Sequence, residues 1–116
     1  FAHVPPERWM AEARLHFTET SQGLDITYDP ALRLAFEAAM ARPQPDAWPL
    51  FMACCGKPLA LIRGANSDLL TQSTADEMQA RCPAMIVVDV PGRGHIPFLD
   101  EPEALSVIHR WLGLML

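Results

Sequence analysis

Two short apolar runs, Leu59 to Arg63 (LALIR) and Met85 to Val90 (MIVVDV), each lead through a loop into a helical stretch, and this order constrains the chain most. Strand–loop–helix, repeated, predicts a parallel sheet with covering helices, an α/β fold. The continuous apolar character of the first run predicts a strand buried on both faces. The second is richer in β-branched residues and is the stronger strand candidate. Between them a helix is expected from about Gln72 to Arg81. After the second, Pro91 to Leu99 reads as a loop with two glycines. Asp100 and Glu103 then resemble a capping box, with Pro102 in the first turn. The closing helix carries Leu105, Ile108, Trp111, Leu112 and Met115 along one face. Two parallel strands cannot stand alone, because so small a sheet leaves faces and hydrogen-bonding edges uncovered. More strands are expected from outside this segment.

The residues before Cys55–Pro58 have a different character. A first helix is expected from Pro5–Pro6 to about Phe17, with Trp9, Met10, Ala13 and Phe17 on one side. Thr18 to Asp25 reads as a polar loop. Asp29 caps a second helix with Pro30 at its first position; Leu32, Ala35, Phe36 and Ala39 form its apolar stripe, and Arg42–Pro43 stops it. Asp46 is the expected cap of a third helix through Trp48, Leu50, Phe51 and Met52, ended by Gly56. Trp9, Phe17, Phe36, Trp48 and Phe51 are read as core.

With 50% hydrophobic and 20% charged residues in 116, the chain has globular composition, which excludes wholesale disorder. A net charge of −5 argues against a nucleic-acid binder. No apolar run approaches the ~18 residues of a membrane span, and no signal-peptide pattern opens the chain. Cys54, Cys55 and Cys82 fit neither a disulfide framework nor a metal-binding spacing, so buried free thiols and a cytoplasmic location are expected. The start at Phe1, without an initiator Met, reads as a cut in a longer chain.

In open parallel sheets, ligands bind beyond the carboxyl ends of the strands. The loop after the first strand holds Asp68 (Arg63-Gly64-Ala65-Asn66-Ser67-Asp68); the loop after the second holds His95 (Pro91-Gly92-Arg93-Gly94-His95-Ile96-Pro97). Neighbouring strands thus bring a carboxylate and an imidazole to the same sheet edge. A carboxylate that fixes the tautomer of an imidazole makes it a general base. Gly92 and Gly94 allow the tight turn, and Pro97 stiffens the exit. Asp68 or Ser67 has an alternative use as a helix cap. Asp89 is a rival acid, but it lies within its strand. Arg63 and Arg93 are read as solvated or ion-paired. His3, His16 and His109 are expected to face solvent. Cys55 lacks any neighbour that would lower its pKa.

These motifs resemble the C-terminal portion of an α/β-hydrolase-fold enzyme. The matching elements are Arg63-Gly64 with Ser67-Asp68, the loop Gly94-His95-Ile96-Pro97, and Leu99-Asp100-Glu101-Pro102-Glu103 with the closing helix around Trp111-Leu112. Residues 1–57 match less specifically, through Tyr28-Asp29-Pro30 and Asp46-Ala47-Trp48. The resemblance implies a helical cap or lid over 1–45 and the C-terminal part of the hydrolase core over 46–116. It assigns Asp68 as the acid and His95 as the histidine of a Ser-Asp-His triad, in the family's chain order. No G-x-S-x-G, and no Asp or Cys counterpart of it, occurs in the chain, and an oxyanion loop of the HG type is missing too. The nucleophile is therefore expected on an N-terminal half of the same fold, and this chain alone is expected to be inactive. The implied enzyme is a serine esterase or lactonase-like hydrolase of small ester-like molecules, without metal or cofactor. An Asp-nucleophile dehalogenase or epoxide hydrolase and a non-catalytic binding member of the fold are the alternatives.

Overall fold

The structure, a computed structural model, describes residues 1–116. They form two compact units, one of Val4–Asp46 and the other of Ala47–Leu116 together with Phe1–His3.

In the first unit, Pro5 and Pro6 open α1 (Pro6–His16), where a missing N–H costs nothing and a fixed φ favours the helix. Arg8 and Glu12 form an i,i+4 ion pair of 2.7 Å on it. The expected polar loop is instead an antiparallel hairpin of β1 (Phe17–Thr20) and β2 (Gly23–Ile26). Its turn depends on Gly23 at φ +128°, and Thr20 Oγ1 donates to the Gly23 carbonyl at 3.0 Å. Asp29 accepts from the Ala31 N–H at 2.9 Å, as a cap does, and a short turn then leads into α2 (Leu32–Met40). No residue of this unit is buried. Trp9, Phe17 and Phe36, read as core, are 45%, 41% and 63% exposed. The apolar stripes are present, but most of their residues remain exposed.

The second unit begins with α3 (Trp48–Cys54), whose cap position falls on Ala47, one residue beyond the expected Asp46. Trp48 and Phe51 make an edge-on contact, and the Arg81 guanidinium lies 4.1 Å from the Trp48 ring centre. β3 (Ala60–Gly64) and β4 (Ile86–Val90) pair in parallel as expected, from Ala60 opposite Ile86 to Gly64 opposite Val90. The crossover between them is α4 (Gln72–Arg81). Its cap is Thr71, which accepts from the Thr74 N–H at 3.2 Å.

α5 (Pro102–Gly113) packs on β4 and β3. Its inner stripe is Ala104, Val107, Ile108 and Trp111, a clean i, i+3, i+4, i+7 set. The expected face centred on Leu105 and Leu112 is rotated outward, at 40% and 47% exposure. Trp111 sets this rotation by donating from Nε1 to the Pro58 carbonyl at 3.0 Å. The N-cap is Glu101 and makes no side-chain cap bond, so the expected Asp100–Glu103 box does not form. The Glu101 carboxylate turns back to the preceding loop instead.

The core is small: Ala75, Cys82, Met85, Ile86, Val90, Ala104 and Val107. β3 is buried only at its last two residues, not on both faces along its length. Its outer edge has no strand partner, and an open hollow of about 270 Å³ lies between it and α5, lined by Pro58, Leu59, Ala60, Ile62, Ile108 and Trp111. The accessible surface is 8726 Å², whereas two independent globular bodies of these lengths would together expose about 7,500 Å². Of the three thiols only Cys82 is buried; Cys54 is exposed and Cys55 half-buried, because α3 has little above it. No helix is long and apolar enough to cross a membrane.

Candidate active site

The carboxyl ends of β3 and β4 are joined beyond the last ladder residues. The Ala65 N–H donates to the Val90 carbonyl at 3.0 Å, and the Asn66 N–H to the Arg93 carbonyl at 2.8 Å. The two loops therefore share a backbone seam. Gly64 makes the seam possible: a Cβ there would stand 2.6 Å from the Arg93 carbonyl oxygen and closer still to that of Gly94. Both obstacles are backbone and cannot swing away. Gly64→Ala in the full-length protein is thus expected to cost about 3 kcal/mol of stability, read by thermal or denaturant melts; an unchanged midpoint would show that the seam yields.

Behind the seam, Arg63 organises the loop after β3. Its side chain is 5% exposed and meets Asp89 at 2.8 Å, directly across the β3–β4 register. Arg63 Nε donates to the Leu70 carbonyl at 2.8 Å, and Nη1 also donates to Gln72 Oε1 at 3.0 Å. Asp89, the rival acid, is thereby occupied in a structural pair. Ser67 Oγ accepts from the Leu70 N–H at 3.1 Å and tightens the same turn.

On these two loops the structure places Asp68 and His95, and both are exposed. The helix that follows Asp68 is capped by Thr71, so its carboxylate is not used as that cap. No hydrogen bond or ion pair joins Asp68 to His95 directly; they are neighbours through their loops. His3, His16 and His109 are exposed, on other elements.

The loop after β4 is braced by residues the sequence reading did not single out together. Gly92 turns the chain at φ +67°, and its carbonyl accepts from the Ala2 N–H at 2.7 Å. Arg93 Nε meets Glu101 Oε1 at 2.7 Å, and Glu101 also accepts from the Phe98 and Leu99 N–H groups at 3.1 and 2.9 Å. Desolvation pushes the Glu101 carboxyl upward, but the bonds from Arg93, its own N–H, Phe98 and Leu99 outweigh it and leave its pKa below the ordinary value. A carboxyl so depressed contributes stability above its unfolded pKa, and that contribution is lost as pH falls through the folded value. The one sequence cue was spacing: Arg93 and Glu101 bracket a short loop with opposite charges.

Cys55 offers no competing nucleophile. Its pKa is pushed up to about 11, first by desolvation, then by a hydrogen bond and charge repulsion from Cys82, with a smaller contribution from Cys54. The thiolate is the reactive form, so this shift disfavours Cys55 as a nucleophile at neutral pH.

Comparison with known proteins agrees with this architecture. No family model matches the chain. A 3-hydroxybutyrate-oligomer hydrolase of Cupriavidus necator is 34% identical over 115 residues, covering 92% of this chain and 39% of the relative. The crystal structure of an alpha/beta hydrolase from Novosphingobium aromaticivorans superposes with a TM-score of 0.84 and 38% identity, over 96% of this chain and 39% of that one. The chain thus spans about two-fifths of the proteins it matches. Over nearly its whole length it is similar to these hydrolases, and it has part of the α/β-hydrolase fold.

Proposed function

We propose that the chain supplies the acid and the general base of an acyl-transfer site, Asp68 and His95, within a larger hydrolase whose N-terminal half carries a serine nucleophile. The observation that carries this reading is the pair of exposed, unbonded side chains on two loops sewn together at the carboxyl ends of adjacent parallel strands. In this site His95 accepts the serine proton as the oxygen attacks the ester carbonyl, and Asp68 stabilises the imidazolium. The imidazolium then protonates the departing alkoxide. Water, deprotonated by His95, releases the acid and frees the serine. Residues 1–45 act as the cap segment of this enzyme. The oligomer hydrolase of Cupriavidus necator makes short hydroxy-acid esters the first substrates to assay.

The test is pre-steady-state hydrolysis of a p-nitrophenyl ester by the full-length protein. A p-nitrophenol burst of about one equivalent per enzyme, followed by slower turnover, is the expected result. No turnover of any ester would place the protein among non-catalytic members of the fold.

A further inference from the structure

We propose that the Arg93–Glu101 pair is a positioning device that fixes the loop presenting His95, so that the imidazole can deliver its proton to the leaving group. The two residues stand two positions before and six after His95. Their 2.7 Å contact therefore closes a ring of chain around it. Arg93 Nη1 reaches the Ala2 carbonyl at 3.0 Å, tying a third segment to the same guanidinium. That segment is itself anchored, because the Phe1 and Phe98 rings lie 5.3 Å apart and a Cβ on Gly94 would meet the Phe1 ring at 2.9 Å. Glu101 holds the far limb through two backbone N–H groups, one of them on Leu99, which sits at φ +68° without being glycine. A non-glycine residue stays in that region only when its surroundings hold it there.

Every bond in this set has at least one end on residues that flank His95, and none touches the imidazole. The pair is also well shielded: the Arg93 side chain is 20% exposed and that of Glu101 8%. An ion pair with three further hydrogen bonds, placed around an otherwise short and glycine-rich loop, restricts where residue 95 stands. Placement of a catalytic group to within an ångström is worth about a hundredfold in rate.

This inference rests on the reading of His95 as general base, and the experiment separates the two. In the full-length protein, kcat and KM are measured for a p-nitrophenyl ester and an alkyl ester of the same acid, with Arg93→Met, Arg93→Lys, Glu101→Gln and His95→Ala. The alkoxide leaves only with a proton from His95, whereas p-nitrophenolate leaves without one. Loosening the loop therefore penalises the alkyl ester more. The expected result for Arg93→Met and Glu101→Gln is a further loss of about tenfold in kcat/KM, which reports acylation, on the alkyl ester relative to the p-nitrophenyl ester. Arg93→Lys, which keeps one charged bond, should recover most of that ratio. A mere loss of folded enzyme lowers both substrates equally and leaves the ratio alone. An unchanged ratio in folded Arg93→Met and Glu101→Gln, with His95→Ala inactive, would overturn the positioning role and keep the site. Full activity of His95→Ala would overturn the site itself.

Discussion

Replacing His95 by Ala in the full-length protein is expected, on the proposed function, to lower ester turnover by about 10³- to 10⁴-fold while leaving the protein folded. The two halves of this expectation come from the same observation. His95 is exposed and makes no hydrogen bond, so its loss opens no cavity and strands no partner. A surface change of that kind shifts stability by about 0.5 kcal/mol or less. The loop conformation is held by Arg93, Glu101 and Gly92 rather than by the imidazole. Parallel measurement of kcat and of the thermal midpoint checks both halves. A large fall in the midpoint would mean that His95 has a packing role; undiminished turnover would remove it from the chemistry.

Residues 1–116 produced alone are expected to form no cooperative, monomeric fold and to be inactive toward esters. Apart from Pro97, only seven apolar side chains are buried, and the first unit contributes none of them. Leu32, Leu34 and Phe36 each leave about three-fifths of their surface in water, and β3 presents an unpaired edge beside an apolar hollow. The surface exceeds that of two globular bodies by roughly 1,200 Å², within the range buried in a specific protein contact. Open edges and apolar faces of this kind drive association. Calorimetry and sedimentation of the isolated segment should show a broad or absent transition and aggregation. A sharp melt of a monomer would contradict the expectation.

How much of this was legible in the sequence depended on whether local pattern or tertiary contact decides each element. The two parallel strands and the crossover helix were plain, because β-branched apolar runs and a Gln72–Arg81 helix are encoded locally. The hairpin Phe17–Ile26 was hidden: every residue but one is exposed, so no apolar alternation marks the strands. The face of α5 was misjudged by one step because bulky Leu105 and Leu112 outweighed small Ala104, although a small residue is what lets a helix approach a sheet. The cap at Glu101 was missed for a related reason: Arg93 claims that carboxylate, and no window of a few residues contains both. Asp68 and His95 were found from their positions after the two strands. The arginines that shape their loops required the register, which sets Arg63 opposite Asp89.

The central claim is that Asp68 and His95 act as one unit. The most direct measurement is a double-mutant cycle on kcat in the full-length protein, with Asp68→Asn, His95→Ala and the two combined. Acting together, each single change costs about 10³- to 10⁴-fold, and the double variant is no slower than His95→Ala alone to within about threefold. Losses that multiply, or an Asp68→Asn enzyme as fast as the wild type, would show that the carboxylate does not serve the histidine.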